Sequence, residues 1–336
     1  MKPFTHRERL QACLTNDPAL DRPPVALWRH FPVDDQSPER LAAATVDFHH
    51  HYDFDLVKVT PASSFCLKDW GAEDSWEGNP EGTRYYTRCV IEKPQDWERL
   101  PTLDPSAPHI AGQLACLHLL RRELGPDVPL LQTVFSPLAQ AKNLAGGERL
   151  IVHLSQHPEA VLKGLQTIAE TTRRFVAAAI ETGIDGLFYA VQHAQASLLT
   201  LDEYKTFGLP FDTISLDPAQ GLWCNLLHLH GKDIYFSLLT SSLSFPIVNW
   251  HDRDTPPSLV EAQNYFAGVV CGGLRRETVV LGTPDEVQEV AAEALEQTQG
   301  RRFILGTGCV VPVIAPHGNI LAARNSVEEE NVKRKT

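Results

Sequence analysis

Eight short apolar runs recur along the chain, each with turn residues near its end: "PVALWRH" from 24, "DLVKVTP" from 55, "VPLLQTVF" from 128, "GLFYAV" from 186, "CNLLHLHG" from 224, "FPIVNWHD" from 245, "VVCGGL" from 269 and "RFILGTGC" from 302. Runs of this length that are apolar throughout read as strands buried on both faces. Between them lie segments with helical periodicity, such as 160–183 and 283–300. The second of these opens with Thr283, Pro284 and two acidic residues and closes at Gly300, as a capped helix does. Eight buried strands that mostly alternate with helices predict one (β/α)8 barrel spanning residues 1–336.

Two stretches fall outside the repeat. The longest gap between runs holds "SWEGNPEGTRYYTRCVIEK" at 75–93, a hairpin-like segment that predicts an excursion over the barrel rim around 70–105. The charged tail 326–336 is expected to fray.

In a barrel of this kind, reacting groups gather at the C-terminal ends of the strands. Residues two apart on a strand point to one side, so His228 and His230 project together at the end of the fifth run. Cys309 ends the eighth run at the same rim, between Gly308 and a short apolar stretch. Two imidazoles and one thiolate suit Zn2+, and three protein ligands leave a fourth position open for a substrate. The competing reading is one inward histidine held by hydrogen bonds, a second that packs, and an inert core cysteine.

Composition narrows the partners. The chain has 42 acidic and 30 basic residues, a net charge of -12, which opposes affinity for nucleic acid or an anionic membrane surface. The N-terminal segment lacks an apolar signal region, and no stretch is long and apolar enough to span a bilayer, so a cytoplasmic protein is expected. Its 7 cysteines are scattered without a disulfide-type spacing and are expected to be reduced.

Other polar residues at strand ends carry two readings each. His251 and Asp252 either orient a ligand or hold a substrate, or else form a rim ion cluster with Arg253. Gln192 and His193 face the same choice after the fourth run, while Tyr189 reads as core. The tract "HHHYD" at 49–53 fits a helix C-terminus better than a metal site, because consecutive residues do not share a helical face. "CGG" at 271–273 reads as close backbone packing.

The segments "GIDGLFYAVQHAQASLLTLDEYKTFGLPFD", "LLHLHG" and "FILGTGCVVPVIAPHGNI" resemble, in order, the uroporphyrinogen decarboxylase superfamily. That resemblance implies a (β/α)8 barrel and one of two chemistries: cofactor-free porphyrinogen decarboxylation, or zinc-dependent methyl transfer between corrinoid proteins and thiols. The decarboxylase branch has an arginine-rich MRQAGR segment; here "LWRHFP" supplies Arg29 as the match to its first arginine and no second. That branch's aspartate is absent from "VKVTPASS", and Ala141, Gln192 and Thr307 stand where it has tyrosine, serine and histidine. The methyltransferase branch has H-x-C after the fifth strand and a cysteine in a GCxxxP segment; His228 and Cys309 match, and His230 replaces the first cysteine. One thiolate fewer leaves the zinc more Lewis acidic and a thiolate bound to it less nucleophilic.

The leading expectation is zinc-dependent methyl transfer to or from a sulfur compound, with His228, His230 and Cys309 as ligands and, as the resemblance implies, a corrinoid protein as methyl partner; His251, Asp252 and Gln192 are the candidate catalytic groups at the strand ends, and Arg29 joins them through its match to the decarboxylase branch. The alternatives are decarboxylation of a porphyrinogen or smaller acid using Arg29, and a non-catalytic barrel that binds a corrinoid or tetrapyrrole.

Overall fold

A computed structural model describes residues 4–335, with side chains through residue 328. Its centre is a curled, wholly parallel sheet in the order β1-β4-β5-β6-β7-β8-β9. The strands are β1 (Val57–Val59), β4 (Leu130–Phe135), β5 (Gly186–Val191), β6 (Leu226–Leu229), β7 (Ile247–Trp250), β8 (Val269–Leu274) and β9 (Phe303–Thr307). β2 (Glu73–Ser75) and β3 (Tyr85–Arg88) pair antiparallel and form the hairpin in the long gap.

The expected eighth regular strand is not there. The run from Pro24 contributes a single bridge residue, Val25, parallel to Leu305 of β9. Ala26 N donates to Leu305 O and Leu305 N to Pro24 O, while Asp55 N donates to Val25 O, all at 2.9 Å. A longer ladder is blocked for a simple reason. Pro23 and Pro24 have no N–H to give, and the Val25 amide donates instead to the Asp55 carboxylate at 2.8 Å. The expected eight-stranded barrel is therefore corrected to seven parallel strands and a bridging segment.

Alternation along the strands divides the apolar residues into two cores. Val57, Leu187, Leu227, Val248 and Val270 face the helices in the larger cluster. Ala26, Trp28, Leu56, Leu131, Phe188, Leu226, Ile247, Val269 and Ile304 fill the concave side. The two predicted helices form at Pro158–Glu181 and Pro284–Thr298, the latter with a reciprocal Thr283–Glu286 capping box. His49, His50 and His51 lie in the last turn of helix Pro38–Tyr52, which ends on left-handed Asp53. Helix His317–Lys335 runs through the tail expected to fray; Val327 is buried in it, and the side chains from 329 onward lie outside the described residues.

All seven cysteines are free; five are buried, and Cys66 and Cys89 are half-buried. Among the described residues, no helix is long and apolar enough to cross a membrane.

Candidate metal centre

Strand register brings the predicted ligands together. In the ladder, His228 of β6 pairs with Ala190 of β5 and Asn249 of β7. His230, two residues further on, is anchored by its amide, which donates to Val191 O at 2.9 Å. His251 follows the last residue of β7, and Cys309 lies two residues beyond β9. Gly308 is what lets this last loop approach: a Cβ there would stand 2.7 Å from both His251 Cα and Trp250 O. Thr307 then pins the turn by donating its hydroxyl to Cys309 O at 2.5 Å.

The ligand atoms of His228, His230, His251 and Cys309 all lie within 4.8 Å of one another. Sequence reasoning placed His251 beside the site as a positioning group; the geometry makes it a fourth member of the donor cluster. His251 Nε2 lies 3.3 Å from His230 Nδ1, and Cys309 Sγ lies 3.7 Å from that same nitrogen. Burial alone would raise the Cys309 pKa, but bonds from His228, His230 and His251 override it and hold the thiol well below its ordinary value. The His230 pKa goes up, because the nearby thiolate outweighs the cost of burying its charge; burial prevails at His228 and pushes it down.

His228 is held in one tautomer. Asn249 Nδ2 donates to Cys271 O at 2.9 Å and Thr307 O at 3.0 Å, which leaves Asn249 Oδ1 to accept from His228 Nδ1 at 2.7 Å. The proton is thereby fixed on Nδ1, and Nε2 keeps its lone pair for a ligand, the usual arrangement behind a metal-binding histidine.

The remaining predicted residues are placed differently. Arg29 donates toward Val313 O at 3.5 Å and its guanidinium lies over Phe31 and Phe48. Asp252 Oδ2 accepts from Gly273 N at 3.1 Å, and burial lifts its pKa to about 6. The same close approach explains Gly272, where any Cβ would strike the Asp252 carboxylate. Gln192 directly follows β5 and uses its carbonyl to accept from Gln195 Nε2 at 2.7 Å. His193 is buried and neutral, its pKa lowered to about 4 by burial and then by Lys142 and His230.

Sequence reasoning missed two inward residues. Asn249 stands two places before His251 in "IVNWH", and Lys58 is the one polar residue of "DLVKVT" with a charged side chain inside the run. Both carry the period-two signal that identified His228 and His230.

The tip of the β2–β3 hairpin lies over this mouth. Pro80 O accepts from Val313 N at 2.7 Å, and Glu81 pairs with Arg276, which also donates to Val310 O at 2.9 Å. Gly82, at φ +76°, presses on His30, so that a side chain there would collide with the His30 Cβ.

The chain is 25% identical over 237 residues to the uroporphyrinogen decarboxylase of Chlorobium phaeobacteroides, a match that spans 65% of this chain and 64% of that enzyme. It is 21% identical over 344 residues to the methylcobamide:CoM methyltransferase MtaA of Methanosarcina barkeri, spanning 96% and 97% of the two chains. Its fold is similar to that of a solved methyltransferase from Methanosarcina mazei, at TM-score 0.83 and 19% identity over 98% of this chain and 99% of that one. A B12-independent methionine synthase from Shewanella is a more distant likeness, at TM-score 0.59 and 14% identity over 93% and 94%. Residues 6–330 match the family model described as Uroporphyrinogen decarboxylase (URO-D), and the chain belongs to that family.

Proposed function

We propose that the protein is a zinc-dependent methyltransferase that moves a methyl group to or from a sulfur compound, with a corrinoid protein as the methyl partner. The observation that carries this reading is the meeting of three imidazoles and one thiol at the rim of the sheet. The donor chemistry fits Zn2+: nitrogen and sulfur ligands, a cysteine held toward its thiolate, and a histidine whose free lone pair is fixed by Asn249. His228, His230 and Cys309 would hold the ion, and His251 would occupy the position that a substrate sulfur takes over. Zinc in such a set lowers the pKa of a thiol that enters the site.

The chain's own groups complete the reading. His228 and Cys309 are buried while His230 and His251 are half-buried, and His251, with Asp254 at 3.6 Å from its Nδ1, would receive the proton that the thiol gives up. In transfer to a thiol, the sulfur would supply the electron pair of the new C–S bond and the methyl donor would leave with the pair of the bond that breaks; transfer from the sulfur compound is the same exchange reversed. The methyltransferase relatives support this assignment, as does the match at His228 and Cys309. Seven unpaired cysteines support a reducing, cytoplasmic setting.

Decarboxylation is the weaker reading, since Arg29, which it needs, rests over Phe31 and Phe48. Metal analysis decides first. Protein produced with zinc should carry about one equivalent, removed by chelator and lost in Cys309→Ser. Protein with far less than one equivalent, indifferent to chelators, overturns the proposal.

A further inference from the structure

The histidines of "HHHYD" do not share one face of their helix, but His51 finds a partner elsewhere in the chain. It lies in the last turn of helix Pro38–Tyr52 and meets His317, the first residue of helix His317–Lys335. Both residues are exposed, with ring centroids 4.4 Å apart and ring planes inclined at 53°. His51 Nε2 stands 3.1 Å from Nδ1 and 3.2 Å from Nε2 of His317. His317 Nδ1 in turn lies 2.9 Å from the hydroxyl oxygen of Tyr52, whose buried ring packs on Phe48 and Phe54.

Neither packing nor a hydrogen bond between the imidazoles explains this contact. Both rings stand in solvent, so the core does not need them. A nitrogen almost equidistant from the two nitrogens of a neighbouring ring lies off the lone-pair axis of each, where a hydrogen bond is weak. Once both rings are protonated, they repel each other.

The same spacing suits a chelate. Two imidazole nitrogens on one tetrahedral ion, at Zn–N distances of about 2.0–2.1 Å, stand about 3.3 Å apart. Tyr52 supplies what the His317 ring needs behind it. With the Tyr52 oxygen accepting from His317 Nδ1–H, Nε2 keeps its lone pair and turns it toward His51, the usual arrangement of a metal-bound histidine. Phe48 and Phe54 hold the tyrosine ring, so its hydroxyl is a fixed reference for His317. Asp47, exposed one turn before His51 on the same face of the helix, adds negative charge that favours a cation there.

We propose that His51 and His317 form a second metal site, for a divalent transition ion that favours imidazole, Zn2+, Ni2+ or Cu2+, with Tyr52 as the positioning residue behind His317. The ion staples the end of one helix to the start of another across 266 positions of sequence. It also anchors the far end of the segment that begins at Cys309, whose near end lies in the candidate metal centre. Two protein ligands hold an ion less tightly than the four-donor cluster does, so this one leaves on gel filtration and the purified protein keeps a single equivalent. The inference does not depend on what the His228–Cys309 cluster binds.

Calorimetric titration of the tag-free, full-length, zinc-loaded protein with NiCl2, with zinc retention followed by metal analysis, tests the proposal. The parent should take up one Ni2+ without losing zinc. His51→Ala and His317→Ala, both at exposed positions that leave the fold intact, should each bind Ni2+ at least about tenfold more weakly. His50→Ala, at the exposed neighbouring position, should bind it as the parent does. Tyr52→Phe keeps the packed ring, removes the hydroxyl alone, and should weaken binding about tenfold. Bound Ni2+ should raise the melting temperature of the parent and leave that of His317→Ala unchanged. If the central cluster also takes up Ni2+, the difference of one equivalent between parent and His317→Ala still measures this site. Equal uptake by the parent and His317→Ala overturns the proposal, as does a parent that takes up no Ni2+.

Discussion

Asn249 accepts the Nδ1–H of His228 at 2.7 Å while both of its own amide hydrogens are committed to the carbonyls of Cys271 and Thr307. One side chain thereby ties β8 and β9 to the orientation of a single imidazole on β6. Asn249→Ala should lower zinc affinity about 10- to 100-fold, the usual effect of removing a partner behind a ligand. It should also destabilise the fold by about 1–3 kcal/mol, because the His228 donor and two buried carbonyls lose their partner. Competition with a chromogenic chelator measures the first effect; unchanged affinity would show that Asn249 does not orient a ligand.

The ligand set itself separates donors from packing residues. His228→Ala and Cys309→Ser should each release the metal without unfolding the protein, since the strand layers beneath the rim hold the fold, although His228→Ala also leaves the buried Asn249 Oδ1 without its donor and costs about 1–3 kcal/mol. His230→Cys should retain zinc with altered thiol reactivity. His251→Ala should also retain it, if three protein ligands suffice and the fourth donor yields to substrate. Full zinc in the His228 or Cys309 variant would mean that these side chains are core.

Gly308 makes a separate claim about distance. A Cβ at this position would lie 2.7 Å from the His251 backbone, so Gly308→Ala must push the Cys309 loop away from β7. Overpacking of this kind costs about 1–3 kcal/mol. Zinc affinity should fall with it although no donor has been altered. Thermal melting with metal analysis checks both, and a variant with normal affinity would show that the loop yields elsewhere.

Far from the site, His6 gives the fold a pH dependence. Burial opposes its charge, but bonds to Asp53 at 3.2 Å and Asp55 at 3.0 Å dominate and raise its pKa from 6.5 to about 9. A raised pKa means that the protonated form stabilises the fold. The contribution is complete below pH 6.5 and disappears as pH rises through 9. His6→Gln should therefore be less stable than the parent at pH 6 and indistinguishable from it at pH 10. Denaturant midpoints at the two pH values test this, and an equal gap at both would remove the ion pair from the account.

Much of this was legible in the sequence, because period-two arithmetic needs no tertiary information. It places His228 and His230 on one face, and the glycines of "GTGC" mark where a backbone must turn. What the sequence hid depends on neighbours across the sheet. His251 became a donor only through the register of β6 on β7, and Asn249 only through three carbonyl and imidazole contacts from β6, β8 and β9. The shortfall at the first run has a local cause that was visible, since Pro23 and Pro24 have no N–H to give a ladder. Lys58 was overlooked because one lysine in an apolar run resembles an edge residue until its burial is known.

The hairpin tip over the mouth gathers stretches that are remote in sequence: Pro80 meets Val313, Glu81 meets Arg276, and Gly82 meets His30. Residues 80–82 at the tip contribute one backbone hydrogen bond, one ion pair with Glu81 42% exposed, and a glycine contact, whereas the strands behind them are tied down by Arg84 to Asp35 and Tyr86 to Ser63. The threshold of the site can therefore loosen while its floor stays rigid. Traffic through it becomes a property of the surface, sensitive to ionic strength, and independent of whatever holds the curled sheet together.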